Sequence, residues 1–248
     1  MLDYDREAAH YDATRGGDAR ADAAADAIET LLPEGSVRIA DVGCGTGIVT
    51  VRLVRPGRSV IGIDRSEGMA AVAASRLPGR IALGSVIRLP LASGSVDVVT
   101  MVWLLHLLSP ADSAAAVAEA GRVLSPGGLL ITTVGKNDAA FGPADDAAMI
   151  VGVVRARFGH DQTDRLDRVI GLGERHHLAL AARTTFVGMG QGASPRRWRK
   201  RLAGEAGAWI GAAGRERVDA LSAELAGLPD QDRARPDPVY QLAALRKG

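Results

Sequence analysis

Apolar and polar positions along this chain fall into short blocks that switch between two periods. Residues 18–32 are alanine-rich, with Ala24, Ala27, Ile28, Leu31 and Leu32 at helical spacing, and Pro33-Glu34-Gly35 ends that helix. From Val37 strands and helices alternate. Val37–Asp41 and Ser59–Asp64 read as strands, with a helix expected over Thr46–Val54 between them. Ser66 is placed to cap a helix carrying Met69, Val72 and Leu77, which Pro78-Gly79 closes. Arg80–Ser85 is a short third strand, and Ser95–Val102 is apolar enough to be buried on both faces. A helix over Ser113–Leu124 leads through Pro126-Gly127-Gly128 into a fifth strand, Leu129–Val134.

The rhythm breaks after Val134. Residues 136–178 are polar, with weak helical patterns and no clear strand, as an insertion carrying substrate contacts would be. Leu180–Met189 reads as a sixth strand. Ser194-Pro195 reads as an N-cap and first helical residue. Trp198, Leu202, Trp209 and Ala213 mark one helix face, and Val218, Leu221, Leu225 and Leu228 another. A charged loop from Pro229 to Pro238 precedes a last strand, Val239–Leu245. The expected architecture is α/β: a doubly wound, mostly parallel, seven-stranded Rossmann-like sheet with an inserted helical substrate cap. One domain is expected over 1–248. Within it, 1–35 form an N-terminal lid and helix, 36–135 a cofactor-binding core, 136–178 the insertion, and 179–248 the last helices and strands.

Composition narrows the partners. The chain has 30 Lys+Arg against 29 Asp+Glu, so its near-zero net charge argues against bulk attraction to nucleic acid or an anionic membrane. A single cysteine allows no internal disulfide and suits a reducing cytoplasm. Met1–Glu7 is polar and acidic, unlike a secretory leader. The cluster Arg196-Arg197-Trp198-Arg199-Lys200-Arg201 is read as a solvated helix face, because no second basic patch accompanies it. A monomer and a homodimer fit the sequence equally.

The chemistry concentrates in Asp41-Val42-Gly43-Cys44-Gly45-Thr46-Gly47, between the first strand and the next element, and in Asp64 at the tip of the second strand. A glycine turn followed by such an acid is how an α/β sheet holds a ribose. Dinucleotides prefer the spacing G-x-G-x-x-G, with a pyrophosphate on the helix N-terminus. Here the spacing is G-x-G-x-G, and Asp41 would repel a pyrophosphate while suiting an ammonium. S-adenosylmethionine carries an ammonium and no phosphate. An NAD(P)-dependent oxidoreductase is the less favoured alternative. Cys44 is read as a small side chain of the turn. No acids cluster after strands four and five, so no metal is expected.

Four segments together resemble the core of the class I S-adenosylmethionine-dependent methyltransferases, of the small-molecule type similar to the ubiquinone-biosynthesis methyltransferases. They are Asp41–Gly47, Gly62–Met69, Leu89–Val99 and Arg122–Gly128. Ala9–Arg15 also resembles that family's lid. The resemblance implies that Gly43, Gly45 and Gly47 form the floor under the methionine part and that Asp41 orients the turn and the ammonium. It implies that Asp64 takes both ribose hydroxyls, that Arg65 and Met69 pack on adenine, and that Tyr11, Arg15 and Met101 complete the cofactor site. Ser85 and Val86 stand where the family carries an acid for the adenine amino group, a departure that weakens the electrostatic pull there.

The implied reaction is methyl transfer to an O, N or C nucleophile of a small metabolite, and family analogy alone points to secondary metabolism. Trp103, His106 and Trp198 are the expected acceptor contacts. His106 and His160 are the candidate bases, with His176 and His177 as further histidines near the insertion. A catalytically degenerate, cofactor-binding member of the family is the other alternative.

Overall fold

The computed structural model describes residues 3–35, 37–141, 145–158, 162–204 and 214–248. Seven strands form one sheet in the order β3-β2-β1-β4-β5-β7-β6. The strands are β1 Val37–Val42, β2 Arg58–Asp64, β3 Ile81–Leu83, β4 Val96–Met101, β5 Leu124–Val134, β6 Leu178–Val187 and β7 Val239–Lys247. The first five pair in parallel, and β7 runs antiparallel between β5 and β6. The strand order reverses between β1 and β4, and the crevice beyond the carboxyl ends of these strands is where ligands bind in open α/β sheets.

Period-two patterning sends alternate side chains to opposite faces. In β1, Val37 and Ile39 join an apolar layer beneath α3 (Gly17–Glu29), with Ala21, Ala24 and Ile28. Ala40 and Val42 join the layer on the other face, under α5 (Pro110–Val123) and α7 (Leu166–Glu174). A third cluster lies apart from both. It joins α6 (Asp146–Phe158) of the insertion to α8 (Pro195–Ala203) and α9 (Arg215–Ala226) through Ala147, Val151, Trp198, Leu202, Leu221 and Leu225. Trp209 and Ala213 lie outside the described residues.

Caps behave as their sequences demand. Ser66 accepts from Met69 N at the start of α4 (Glu67–Arg76), and Ser194 accepts from Arg197 N with Pro195 at the first helical position. Two expectations change. The helix expected over Thr46–Val54 is a turn followed by one 3-10 turn, Thr50–Leu53. Gly47 and the β-branched run Ile48-Val49-Thr50-Val51 are weak helix formers, so local propensity does not sustain the pattern. β5 begins at Leu124 rather than Leu129, because Pro126-Gly127-Gly128 is absorbed into an irregular pairing where the register with β4 shifts between Val96 and Val98.

Asp97 of β4 staples this edge. Its carboxylate accepts Arg38 Nε at 2.9 Å, Arg38 Nη2 at 2.7 Å, Arg38 backbone N at 2.9 Å and Ser125 Oγ at 3.0 Å. The Arg38 hydrogen bonds hold the carboxyl down at about 2. The side chains remain 28% and 51% exposed, so solvent discounts the pair. Asp97→Asn should lower stability by about 1 kcal/mol at neutral pH, read as a fall in the urea midpoint. A depressed carboxyl stabilises above its unfolded pKa and stops doing so as pH falls through its folded one. The gap between wild type and variant should therefore close between about pH 4 and pH 2.

Candidate functional site

A cavity of about 700 Å³ opens over the carboxyl ends of β1, β2 and β4, a size that accommodates a cofactor and a small second molecule. Its floor is the turn after β1. Gly43 N and Cys44 N both donate to Ile63 O, at 2.7 and 3.2 Å, which locks the turn onto β2. Gly45 has φ +56°, and a Cβ there would meet no atom within 4 Å, so its backbone faces open cavity. Gly47, at φ +73°, does not line the cavity. A Cβ there would stand 3.0 Å from Ala73 Cβ and 3.2 Å from Ala73 Cα. It is thus the glycine that lets the turn pack on α4, and the expected place in the floor is corrected to Gly43 and Gly45.

Asp41 is 4% exposed, and both its oxygens are engaged, by Thr50 Oγ1 at 2.5 Å and Thr100 Oγ1 at 2.6 Å. Burial pushes its carboxyl up. Asp41 thus fastens the turn and β4 to β1, while also lining the cavity. Asp64 accepts Gly45 N at 2.8 Å on one oxygen and Ser66 N at 2.9 Å on the other. Each carboxylate oxygen keeps a further lone pair for a hydroxyl. Burial and neighbouring acids push the Cys44 thiol up, so it is no nucleophile.

Arg65, Met69, Ser85 and Val86 line the cavity as expected, with Met69 buried and Ser85 exposed. Met101 does not. It is wholly buried in the layer under α5, since its position in β4 turns it to the other face of the sheet.

The N-terminal segment lies across the opening, with α1 (Tyr4–Glu7) and α2 (Tyr11–Thr14) ahead of α3. Tyr11 and Arg15 line the cavity, and the Arg15 guanidinium sits 5.5 Å from the Tyr11 ring. Two aspartates that sequence reading missed latch this segment. Asp5 accepts Ser66 Oγ at 2.6 Å and Gly68 N at 2.9 Å; Asp12 accepts Thr46 Oγ1 and Arg76 Nη2, each at 2.6 Å. No periodic signal marks them, because each partner lies more than 30 residues away in sequence.

Beyond β4, Trp103 and His106 line the cavity as expected. Trp103 takes φ +55°, its N donates to Thr133 Oγ1 at 2.9 Å, and the Arg20 guanidinium lies 3.5 Å from its ring centroid. His106 Nδ1 is buried without a partner. Burial, then the nearby cations Lys136, Arg20 and Arg15, push the imidazole down to about 2.

Trp198 does not reach this cavity. It stacks on Phe141 in the third apolar cluster and lines a separate cavity of about 340 Å³ with Arg201, correcting its expected acceptor role. Arg201, expected on a solvated face, lies against the Trp198 ring at 5.1 Å. His160 lies outside the described residues. His176 and His177 lie at the opposite edge of the sheet, beside Gly121 and Gly248.

Residues 40–132, from the end of β1 into β5, match the family model described as a methyltransferase domain. This stretch, which holds the glycine turn and Asp64, is similar to that family's domain. An uncharacterised methyltransferase of Mycobacterium bovis is 37% identical over 128 residues, 51% of each chain. The match thus spans about half the length of that curated relative. Among solved structures, an S-adenosylmethionine-dependent methyltransferase of Thermotoga maritima superposes with TM-score 0.56 at 18% identity, covering 99% of this chain and 98% of that one. The [4+2]-cyclase SpnF superposes with TM-score 0.52 at 22% identity, covering 93% and 80%. These two likenesses concern the fold. No helix among the described residues is long and apolar enough to cross a membrane.

The family's cofactor is S-adenosylmethionine, and the residues present fit it. Gly45 leaves room where a side chain would intrude, Asp64 offers two acceptor oxygens, and the apolar Met69 and Val86 are among the residues lining the cavity.

Proposed function

We propose that this protein transfers a methyl group from S-adenosylmethionine to a small-molecule acceptor held between Trp103, His106 and the N-terminal segment. The observation that carries this reading is Asp64 and the Gly43–Gly45 floor meeting in one large cavity that continues to His106. Bound there, the cofactor supplies an electrophilic methyl group on a sulfonium. Asp64 binds the ribose, Ser85 and Val86 border the adenine, and Asp41 keeps the turn in place beside the ammonium. Tyr11 and Arg15 cover the opening and limit water. The protein's main contribution is alignment of acceptor and methyl in a closed space.

His106 serves as a wall and hydrogen-bonding group rather than as a general base. With its conjugate acid near pH 2, it is neutral at every working pH and holds an abstracted proton poorly. The pH profile of kcat/KM should therefore lack an inflection near 6.5, and His106→Asn should leave its shape unchanged. An inflection near 6.5 that His106→Asn removes would restore the histidine as base.

Calorimetric titration with S-adenosylmethionine, NAD and NADP tests the cofactor. Binding of the first alone is expected, and binding of either dinucleotide instead would replace the reading. Ser85, exposed where the family places an acid, favours a second reading, in which the cofactor binds and no methyl group moves. Tight cofactor binding with no methylated product would support that alternative.

A further inference from the structure

Beyond β4 the site gathers three cations, Arg15, Arg20 and Lys136, and a carboxylate, that of Asp164, acts only on Lys136, while Arg20 bonds to the neutral Tyr240 side chain. Arg20 is 7% exposed and lines the cavity; its Nη1 donates to Arg15 O at 3.0 Å, and its Nε is buried without a partner. Its guanidinium is pinned between the rings of Trp103 and Tyr240, with centroids 3.5 and 5.8 Å away. Arg15 lines the same cavity. Lys136, at the end of β5, makes one side-chain hydrogen bond, to Asn137 Oδ1 at 3.3 Å, and burial beside Arg20 and Arg15 lowers its ammonium to about 8. None of the three forms an ion pair with a described carboxylate.

The acids lining the cavity are already engaged. Asp12 pairs with Arg76, Asp41 holds two threonine hydroxyls, Asp64 holds two backbone N–H groups, and Asp112 accepts from Ser109. Arg20 is buried, Lys136 half-buried and Arg15 exposed; a buried cation without a counter-ion is costly, and an anion brought against Arg20 recovers that cost. S-adenosylmethionine does not supply the balance, because its sulfonium and ammonium outweigh its single carboxylate.

We propose that the methyl acceptor is an oxygen acid, anionic at neutral pH, whose charged group lies against Arg20 beside Trp103, within the field of Arg15 and Lys136. This inference rests on the methyl-transfer reading for the word acceptor, while the anion site stands on the cation cluster itself. Trp103 and Tyr240 hold the Arg20 guanidinium in one place at the cavity wall, and a guanidinium so held suits an oxyanion.

The test uses the whole chain, with and without saturating S-adenosylhomocysteine, titrated calorimetrically with matched pairs: benzoate against benzyl alcohol, indole-3-acetate against tryptophol, hexanoate against hexanol. Within at least one pair the acid should bind about tenfold tighter or better. Arg20→Gln should abolish that preference and Arg20→Lys restore part of it, with S-adenosylhomocysteine affinity changed less than about threefold in both. Lys136→Gln should weaken acid binding without touching the alcohols. Equal binding of acid and alcohol, preference for the alcohols, no acid binding at millimolar concentration, or an undiminished preference in Arg20→Gln would each overturn the proposal. Absence of S-adenosylhomocysteine binding would count against the methyl-transfer reading alone, since the acid preference is measured in either state.

Discussion

Asp64→Ala should weaken S-adenosylmethionine binding by about a hundredfold, equivalent to about 3 kcal/mol. Two effects add. The ribose loses a charged acceptor for its hydroxyls, and Gly45 N and Ser66 N lose the carboxylate that fixes the turn and the start of α4. Asp64→Asn keeps one neutral acceptor and should lose about tenfold. Both are read by calorimetry on protein whose thermal midpoint is checked in parallel. Asp64 is half-buried at a strand tip rather than in either apolar layer, so the fold should survive both changes. Unchanged affinity in Asp64→Ala would remove the ribose from this place.

Two glycines of the same turn should separate cleanly. Gly45→Ala places a Cβ in open cavity, so the fold should lose only the cost of a left-handed alanine, about 1–2 kcal/mol. Cofactor affinity should fall by about tenfold or more, because that Cβ occupies the floor. Gly47→Ala should do the reverse. Its Cβ meets Ala73 backbone at 3.2 Å as well as carrying the same φ penalty, so about 2–4 kcal/mol of stability should go. Among molecules that remain folded, affinity should change less than in Gly45→Ala. Urea midpoints and calorimetry on the two variants check the contrast, and equal losses of affinity and stability in both would show that the three glycines act as one unit.

Much of this was legible in the chain. The alternation of strands and helices, the Ser66 and Ser194 caps and the Asp41–Gly47 turn are local signals, written within a few residues of where they act. So was Asp64, because a strand tip after a glycine turn is a fixed offset in this topology. What stayed hidden depends on contacts across the chain. Gly43, Gly45 and Gly47 look alike in sequence, and only the approach of α4 tells the packing glycine from the floor. Met101 is one residue from the cavity wall, and the pleat alone turns it to the far face. Trp198 looked like an acceptor contact, yet its hydrophobic spacing with Leu202 serves a separate cluster with α6 and α9.

The charged residues were the least readable. Arg20 sits inside an alanine-rich helix with nothing local to mark it, and Lys136 begins a polar stretch. Tertiary packing against Trp103 and Tyr240 makes Arg20 part of a cavity wall. The same packing lowers the basicity of His106, the candidate base. Burial first, and then cations far from it in the chain, push its imidazole down, and neither is written in its own neighbourhood.

On the proposed reading, the cavity over β1, β2 and β4 passes a methyl group to a small molecule. The most direct measurement incubates the protein with methyl-labelled S-adenosylmethionine and a metabolite extract, and follows the label by mass spectrometry against an Asp64→Ala control. A labelled small molecule, an equal yield of S-adenosylhomocysteine, and loss of both in the control are expected. S-adenosylmethionine bound tightly but recovered intact, with no labelled product from any fraction, would contradict it.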